Sequence, residues 1–160
     1  ENVKPGSTFS YANLLSGPEY SWYYTFNIDK VKLGSSVASN HLAIADTGTS
    51  LLCIPPSIAD PFFQDSAFDG CEQTEGIYVC ECSARDQFPN LEFTINGTTF
   101  DVTPEQYILP NEGNTCVVGI ETFTPQGGLI VLGDVFLRTV VAVFDLQNES
   151  VGFAPATYAQ

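Results

Sequence analysis

Positive charge is scarce in this chain. Five lysines and arginines stand against nineteen aspartates and glutamates, a formal charge of −14 at neutral pH. A field of that sign repels phosphate backbones and anionic membrane surfaces, so nucleic acid is not expected as a partner. Histidine is scarcer still: His41 is alone, which leaves no context for a histidine-built zinc site or a serine–histidine triad. It reads as a surface or loop residue. Glu72, Glu75 and Glu81 lie scattered in a cysteine-bearing loop without the spacing of a calcium loop, and read as a solvated face. No metal and no cofactor are expected.

Long apolar runs are also missing. None approaches the roughly 18 to 20 residues that a membrane span needs, and no basic-then-apolar leader of the signal-peptide kind opens the sequence. The expectation is soluble, already processed material without a membrane span. Internal repeats and low-complexity linkers are absent too. The 160 residues, 44% of them apolar, therefore suit a single domain over 1–160 with a real core.

What is present suits an oxidising setting, and an acidic one better than an alkaline one, although acidic chains also work at neutral pH. Self-repulsion among the carboxylates weakens as they protonate, which suits work in acid. Five cysteines and the sequons Asn96-Gly97-Thr98 and Asn148-Glu149-Ser150 fit a secretory route, with Asn96 and Asn148 as glycosylation candidates. The odd cysteine count leaves one thiol unpaired or paired outside the chain.

The pattern is predominantly that of strands. Residues 1–21 read as loop with a short strand around Phe9 to Leu15. From Trp22 the text alternates: Tyr24 to Asp29, then Val31 to Leu33, turned back by Gly34-Ser35-Ser36. Further strands are expected at Leu42 to Ala45, Gly76 to Val79, Leu91 to Ile95, Thr98 to Val102, Gly128 to Gly133, Thr139 to Asp145 and Val151 to Phe153. Asn96-Gly97 matches a two-residue hairpin turn. Short helices are expected from Pro55-Pro56 through Asp60 with a restart at Pro61, from Thr103-Pro104 to about Leu109, and over Asp134 to Arg138. The fold class is all-β with a few short helices.

The apolar run ending at Ala45 passes straight into Asp46-Thr47-Gly48-Thr49-Ser50, which puts a carboxylate in a loop at the end of a buried strand. Read alone, those residues serve equally as a strand-ending turn or as half of an acid–base site. In the second case two carboxylates share one proton across a water, one accepting a proton while the other donates to a peptide carbonyl. Gly48 permits close backbone approach, and Thr47 and Thr49 bring hydroxyls that can donate to a carboxylate or bind across to a partner loop.

The sequence resembles the C-terminal lobe of the pepsin-like aspartic proteases. Ala43 to Leu52 is similar to that lobe's catalytic loop, and Ile130 to Arg138 to the late strand that braces it. Between and after these, Cys82-Ser83-Ala84, Pro89, Phe93 to Gly97, Tyr107-Ile108-Leu109, Cys116, Val143-Phe144-Asp145 and Val151 to Ala154 follow the family pattern in order, over nearly all of the chain beyond Trp22. The resemblance implies a pepsin-like fold, Asp46 as the catalytic aspartate, and Thr47, Gly48 and Thr49 as its supporting loop. It implies Tyr23, Ile44 and Ile130 as substrate-pocket residues, with core packing the competing reading for each. It also implies a Cys82–Cys116 disulfide, with Cys71 and Cys80 able to close a second loop; Cys53, left over in an apolar context, reads as a buried free thiol, with a bond to another chain the alternative.

The family's N-terminal lobe, with its own Asp-Thr-Gly loop and flap, is not found in these residues. The expectation is the C-terminal chain of an aspartic endopeptidase, a heterodimer matured from a zymogen and secreted or vacuolar/lysosomal. Its partners would be an N-terminal lobe chain, polypeptide substrates and pepstatin-like inhibitors, and by itself it should be inactive. A homodimer about the catalytic loop is disfavoured because no flap-like sequence precedes Asp46. The rival readings are a noncatalytic pepsin-like binding protein and, more weakly, a folding or inhibitory partner lobe.

Overall fold

The computed structural model describes residues 2–20, 23–123 and 128–157; Trp22, where the alternating pattern starts, lies outside them. Thirteen strands occur among these residues: β1 (Ser10–Asn13), β2 (Thr25–Leu33), β3 (Ser36–Ala45), β4 (Leu52–Ile54), β5 (Glu72–Thr74), β6 (Ile77–Glu81), β7 (Leu91–Ile95), β8 (Thr98–Val102), β9 (Ile108–Pro110), β10 (Thr115–Thr122), β11 (Ile130–Leu132), β12 (Val140–Asp145) and β13 (Ser150–Pro155). The helices are one turn each: α1 (Pro56–Ala59), α2 (Pro104–Tyr107) and α3 (Asp134–Leu137).

The strands form two sheets. The larger has ten strands ordered β5-β6-β10-β4-β11-β3-β2-β7-β8, with β9 pairing β10 beside that path; the smaller has the order β1-β13-β12. The reading as all-β with a few short helices holds. β2 and β3 form its long antiparallel centre, with Thr25 opposite Ile44 and Leu33 opposite Ser36. The expected hairpin at Asn96-Gly97 is present: both residues have positive φ, +47° and +76°, the type I′ geometry whose twist matches the flanking strands.

Three expectations need correction. The strand leading to Asp46 begins at Ser36 rather than Leu42 because β2 pairs with it from Ser36 onward, and its first four residues alternate half-buried and exposed; His41 therefore sits within a strand, not a loop. The Thr103-Pro104 helix stops at Tyr107. Ile108 turns extended because Ile108–Pro110 pairs with β10, a case of sheet pairing overriding helix propensity. Glu72 and Glu81 belong to strands β5 and β6 rather than an irregular loop, and both are exposed.

One continuous core joins the sheets through Phe26, Phe93, Phe100, Phe136 and Phe153, whose rings meet at 5.3–6.1 Å, mostly edge to face. Tyr107 is fully buried, its hydroxyl donating to the Pro89 carbonyl at 2.6 Å. Burial, and secondarily Asp65, pushes its phenol well above the usual range. Disulfide Cys71–Cys80 ties the residue before β5 to β6, Cys82–Cys116 ties the end of β6 to β10, and Cys53 is a buried free thiol.

Candidate active site

Asp46 follows the last residue of β3, and its N–H donates to the Leu132 carbonyl of β11 at 3.1 Å. The loop is thus hung from a parallel strand pair in which Ile130, Val131 and Leu132 match Ala43, Ile44 and Ala45. Both carboxylate oxygens are held. The Gly48 N–H donates to Oδ1 at 2.9 Å, and the Thr49 hydroxyl donates to Oδ2 at 2.6 Å. Asp46 is half-buried, while Thr47 and Gly48 beside it are exposed. The carboxylate is oriented by its own loop and open on one side.

The loop is braced from behind. The first N–H groups of α3, which have no partner inside the helix, donate to the loop: Asp134 N–H to the Thr49 carbonyl at 2.8 Å, and Val135 N–H to the Ser50 carbonyl at 3.2 Å. The approach is so close that a Cβ on Gly133 would lie 2.2 Å from the Leu51 oxygen and 2.3 Å from the Thr49 oxygen, against 3.3 Å to Asp46 Oδ1 for one on Gly48. The steric demand for glycine therefore falls chiefly on Gly133, a residue not singled out from the sequence, although its place in the bracing segment was the signal available.

Ile44, Val131 and Cys53 form a small apolar cluster separate from the main core, with Leu129 packed against it. Their neighbours Ala43, Ala45, Ile130, Leu132, Leu52 and Ile54 all belong to the main core. Since strand side chains alternate between faces, the cluster lies on the opposite face of the sheet. Strand register extends it into a row: Thr25 opposite Ile44, Ile44 beside Val131, Val131 opposite Cys53, Cys53 beside Glu121. Asp46 stands two residues beyond Ile44 on the same strand line. Ile130, expected with Ile44 as a pocket residue, is fully buried in the main core; Val131 is the residue that shares the face of Ile44. Tyr23 is 60% exposed, and lines a cavity of about 390 Å³ with Leu14, Tyr20, Tyr24, Leu146 and Glu149. It is not brought against Ile44.

The Cys53 thiol sits 3.8 Å from Glu121 Oε2. Burial raises its pKa to about 11, with further contributions from Glu121 and Asp46, so the thiol is held protonated rather than poised as a nucleophile. Among the described residues no group of three or more His, Cys, Asp or Glu side chains could hold a metal ion.

The fold and loop match a known family. The family model described as "Eukaryotic aspartyl protease" covers residues 3–156. The chain is 36% identical over 142 residues to cathepsin E of Aquarana catesbeiana, covering 85% of this chain and 35% of that protein. It is 37% identical over 138 residues to pepsin A of Bos taurus, covering 83% and 37%, and 37% identical over 139 residues to vacuolar protease A of Aspergillus fumigatus, covering 84% and 34%. This chain belongs to the eukaryotic aspartyl protease family. It spans roughly a third of the length of these curated relatives.

Proposed function

We propose that the chain supplies one of the two catalytic carboxylates of an aspartic endopeptidase, Asp46, and that a second lobe, on this polypeptide or another, supplies the other. The observation that carries the proposal is the Asp46 carboxylate held at both oxygens and open on one side. As is established for aspartic proteases, two carboxylates about 3 Å apart share a single proton. One takes a proton from a bound water as the water attacks the peptide carbonyl, and the other protonates the carbonyl oxygen. In this reading Gly48 and Thr49 fix the carboxylate's plane, and exposed Thr47 engages the counterpart loop. Polypeptides are the substrates, and pepstatin-like compounds the inhibitors. No part of this chemistry calls on a metal or cofactor.

Strand β12 supports a second lobe. It pairs with β13 on one side only among the described residues, and Val141, Ala142, Val143 and Phe144 are half-buried along it. A bare apolar strand edge is ordinarily covered, and the greater length of the relatives leaves room for a lobe to cover it. Two disulfides favour an oxidising compartment, secreted or vacuolar/lysosomal. No helix among the described residues is long and apolar enough to cross a membrane.

The test is intact-mass analysis of the native, nonreduced protein together with a protein digestion assay in acid, with and without pepstatin. Pepstatin-sensitive cleavage by material containing a second lobe supports the proposal. Acid-inert material with that lobe present contradicts it and favours a noncatalytic pepsin-like binding protein.

A further inference from the structure

A polar groove of about 290 Å³ separates β1 from the β7–β8 hairpin, lined by Tyr11, Ala12, Asn13, Asn27, Asp29 and Asn96. Tyr11 and Asn13 alternate out of β1, and Asn27 and Asp29 out of β2, so each pair shares a face. Two hydrogen bonds cross the groove. Asn96 Nδ2 donates to the Tyr11 carbonyl at 3.0 Å, and the Gly97 N–H donates to Asp29 Oδ2 at 2.7 Å. Amides and one carboxylate offer donors and acceptors to hydroxyl and acetamido groups, and the Tyr11 ring, 42% exposed, offers an apolar face to a pyranose. Among the described residues no cation lines the groove, which makes it unsuited to an anion.

Asn96 opens the sequon Asn96-Gly97-Thr98, and all three residues are exposed at the hairpin tip. We propose that Asn96 carries an N-linked glycan whose first N-acetylglucosamine folds back into this groove against Tyr11, tying the hairpin to β1. The inference rests on the secretory route included in the proposed function. In the transfer, Asn96 Nδ2 forms a bond to C1 of the sugar and loses one proton, while the C1–oxygen bond to a lipid pyrophosphate donor breaks and the pyrophosphate leaves. One N–H remains on the amide, enough for a single hydrogen bond such as that to the Tyr11 carbonyl.

The two sequons differ in when their amides become engaged. The Asn96 amide meets a residue 85 positions away, a contact that forms only once β1 docks, so the unfolded segment leaves it free. The Asn148 amide donates to Asp145 Oδ2 at 2.7 Å, three positions away within its own turn. That local contact forms early and competes with modification. Asn96 is the occupied site, and Asn148 the poorly occupied one.

The experiment is secretion of the full polypeptide from a glycosylating eukaryotic host, with site occupancy read by peptide mass spectrometry and amide hydrogen exchange read across β1. Thr98→Ala removes the sequon while keeping the Asn96 amide, so it separates loss of sugar from loss of the amide contact that Asn96→Gln also brings. Occupancy is expected to be higher at Asn96 than at Asn148. Trimming the glycan to its first sugar should leave β1 exchange unchanged, whereas Thr98→Ala should speed it about threefold or more. An unmodified Asn96 in the secreted protein, or identical β1 exchange with and without the sugar, overturns the proposal. Neither readout depends on turnover: an active peptidase lacking this glycan sinks only the groove assignment, and a glycosylated protein without activity sinks only the peptidase reading.

Discussion

The Thr49 hydroxyl lies 2.6 Å from Oδ2 of Asp46, and the Thr49 carbonyl simultaneously accepts the Asp134 N–H at 2.8 Å. One residue therefore links the carboxylate to the helix that braces it. Thr49→Val keeps the shape and removes the donor. A hydrogen bond to a charged group is worth roughly 1.5–3 kcal/mol, so kcat should fall about tenfold or more with little change in thermal stability. Thr49→Ser should recover most of the loss. Steady-state kinetics of peptide cleavage by the full polypeptide check both.

Gly133 makes the second prediction. Its missing Cβ is what allows the Leu51 and Thr49 carbonyls to approach, so Gly133→Ala must push backbone against backbone. The expected cost is about 2 kcal/mol of stability, measured by denaturant unfolding, with activity lost in step. Gly48→Ala, whose Cβ would meet only Asp46 Oδ1 at 3.3 Å, should cost less.

Cys53 should resist alkylation. Burial lifts its pKa to about 11 from 9.0, so at pH 8 the folded thiol is both protonated and shielded. Iodoacetamide labelling should proceed only after unfolding in nonreducing denaturant, at one thiol per chain. Because the folded pKa lies above the unfolded one, the contribution to stability is complete below about pH 9 and lost as pH rises towards 11. The difference in stability between the protein and its Cys53→Ala variant should shift over that interval.

Asp145 gives a pH effect of the opposite sign. Hydrogen bonds from the Asn148 side chain, then from the Asn148 N–H and the Gln147 N–H, hold its carboxyl below the ordinary value of 3.8. A depressed folded pKa contributes stability above the unfolded value, and that contribution disappears as pH falls through the folded value. Hydrogen exchange in the β12–β13 turn should be faster in Asp145→Ala than in the parent above pH 4, and the difference should shrink in stronger acid.

Much of the site was legible in the sequence because its signals are local. A buried strand running into Asp-Thr-Gly-Thr-Ser, an Asn-Gly turn, and a Thr103 whose N–H is met by the Gln106 side chain at 2.8 Å each declare themselves within a few residues. What escaped depends on long-range pairing. β10 was not foreseen as a strand: its Thr115-Cys116-Val117-Val118-Gly119-Ile120 text gains its place from a parallel match to β4 and antiparallel matches to β6 and β9. Which residue of the late strand shares the face of Ile44 was hidden for a related reason. Leu129-Ile130-Val131-Leu132 is apolar throughout, as strands buried on both faces are, so it carries no alternation to set the phase, and a shift of one residue reverses the face. Only the register with Ala43 to Ala45 fixes it.

If the Asp46 carboxylate does the chemistry proposed for it, Asp46→Asn in the full polypeptide, compared with the parent in peptide turnover in acid and in thermal unfolding, separates catalysis from folding. Turnover should fall to background while the unfolding midpoint stays close to that of the parent, since the substituted amide keeps the shape of the loop. Cleavage at the parental rate by the folded variant would contradict the assignment.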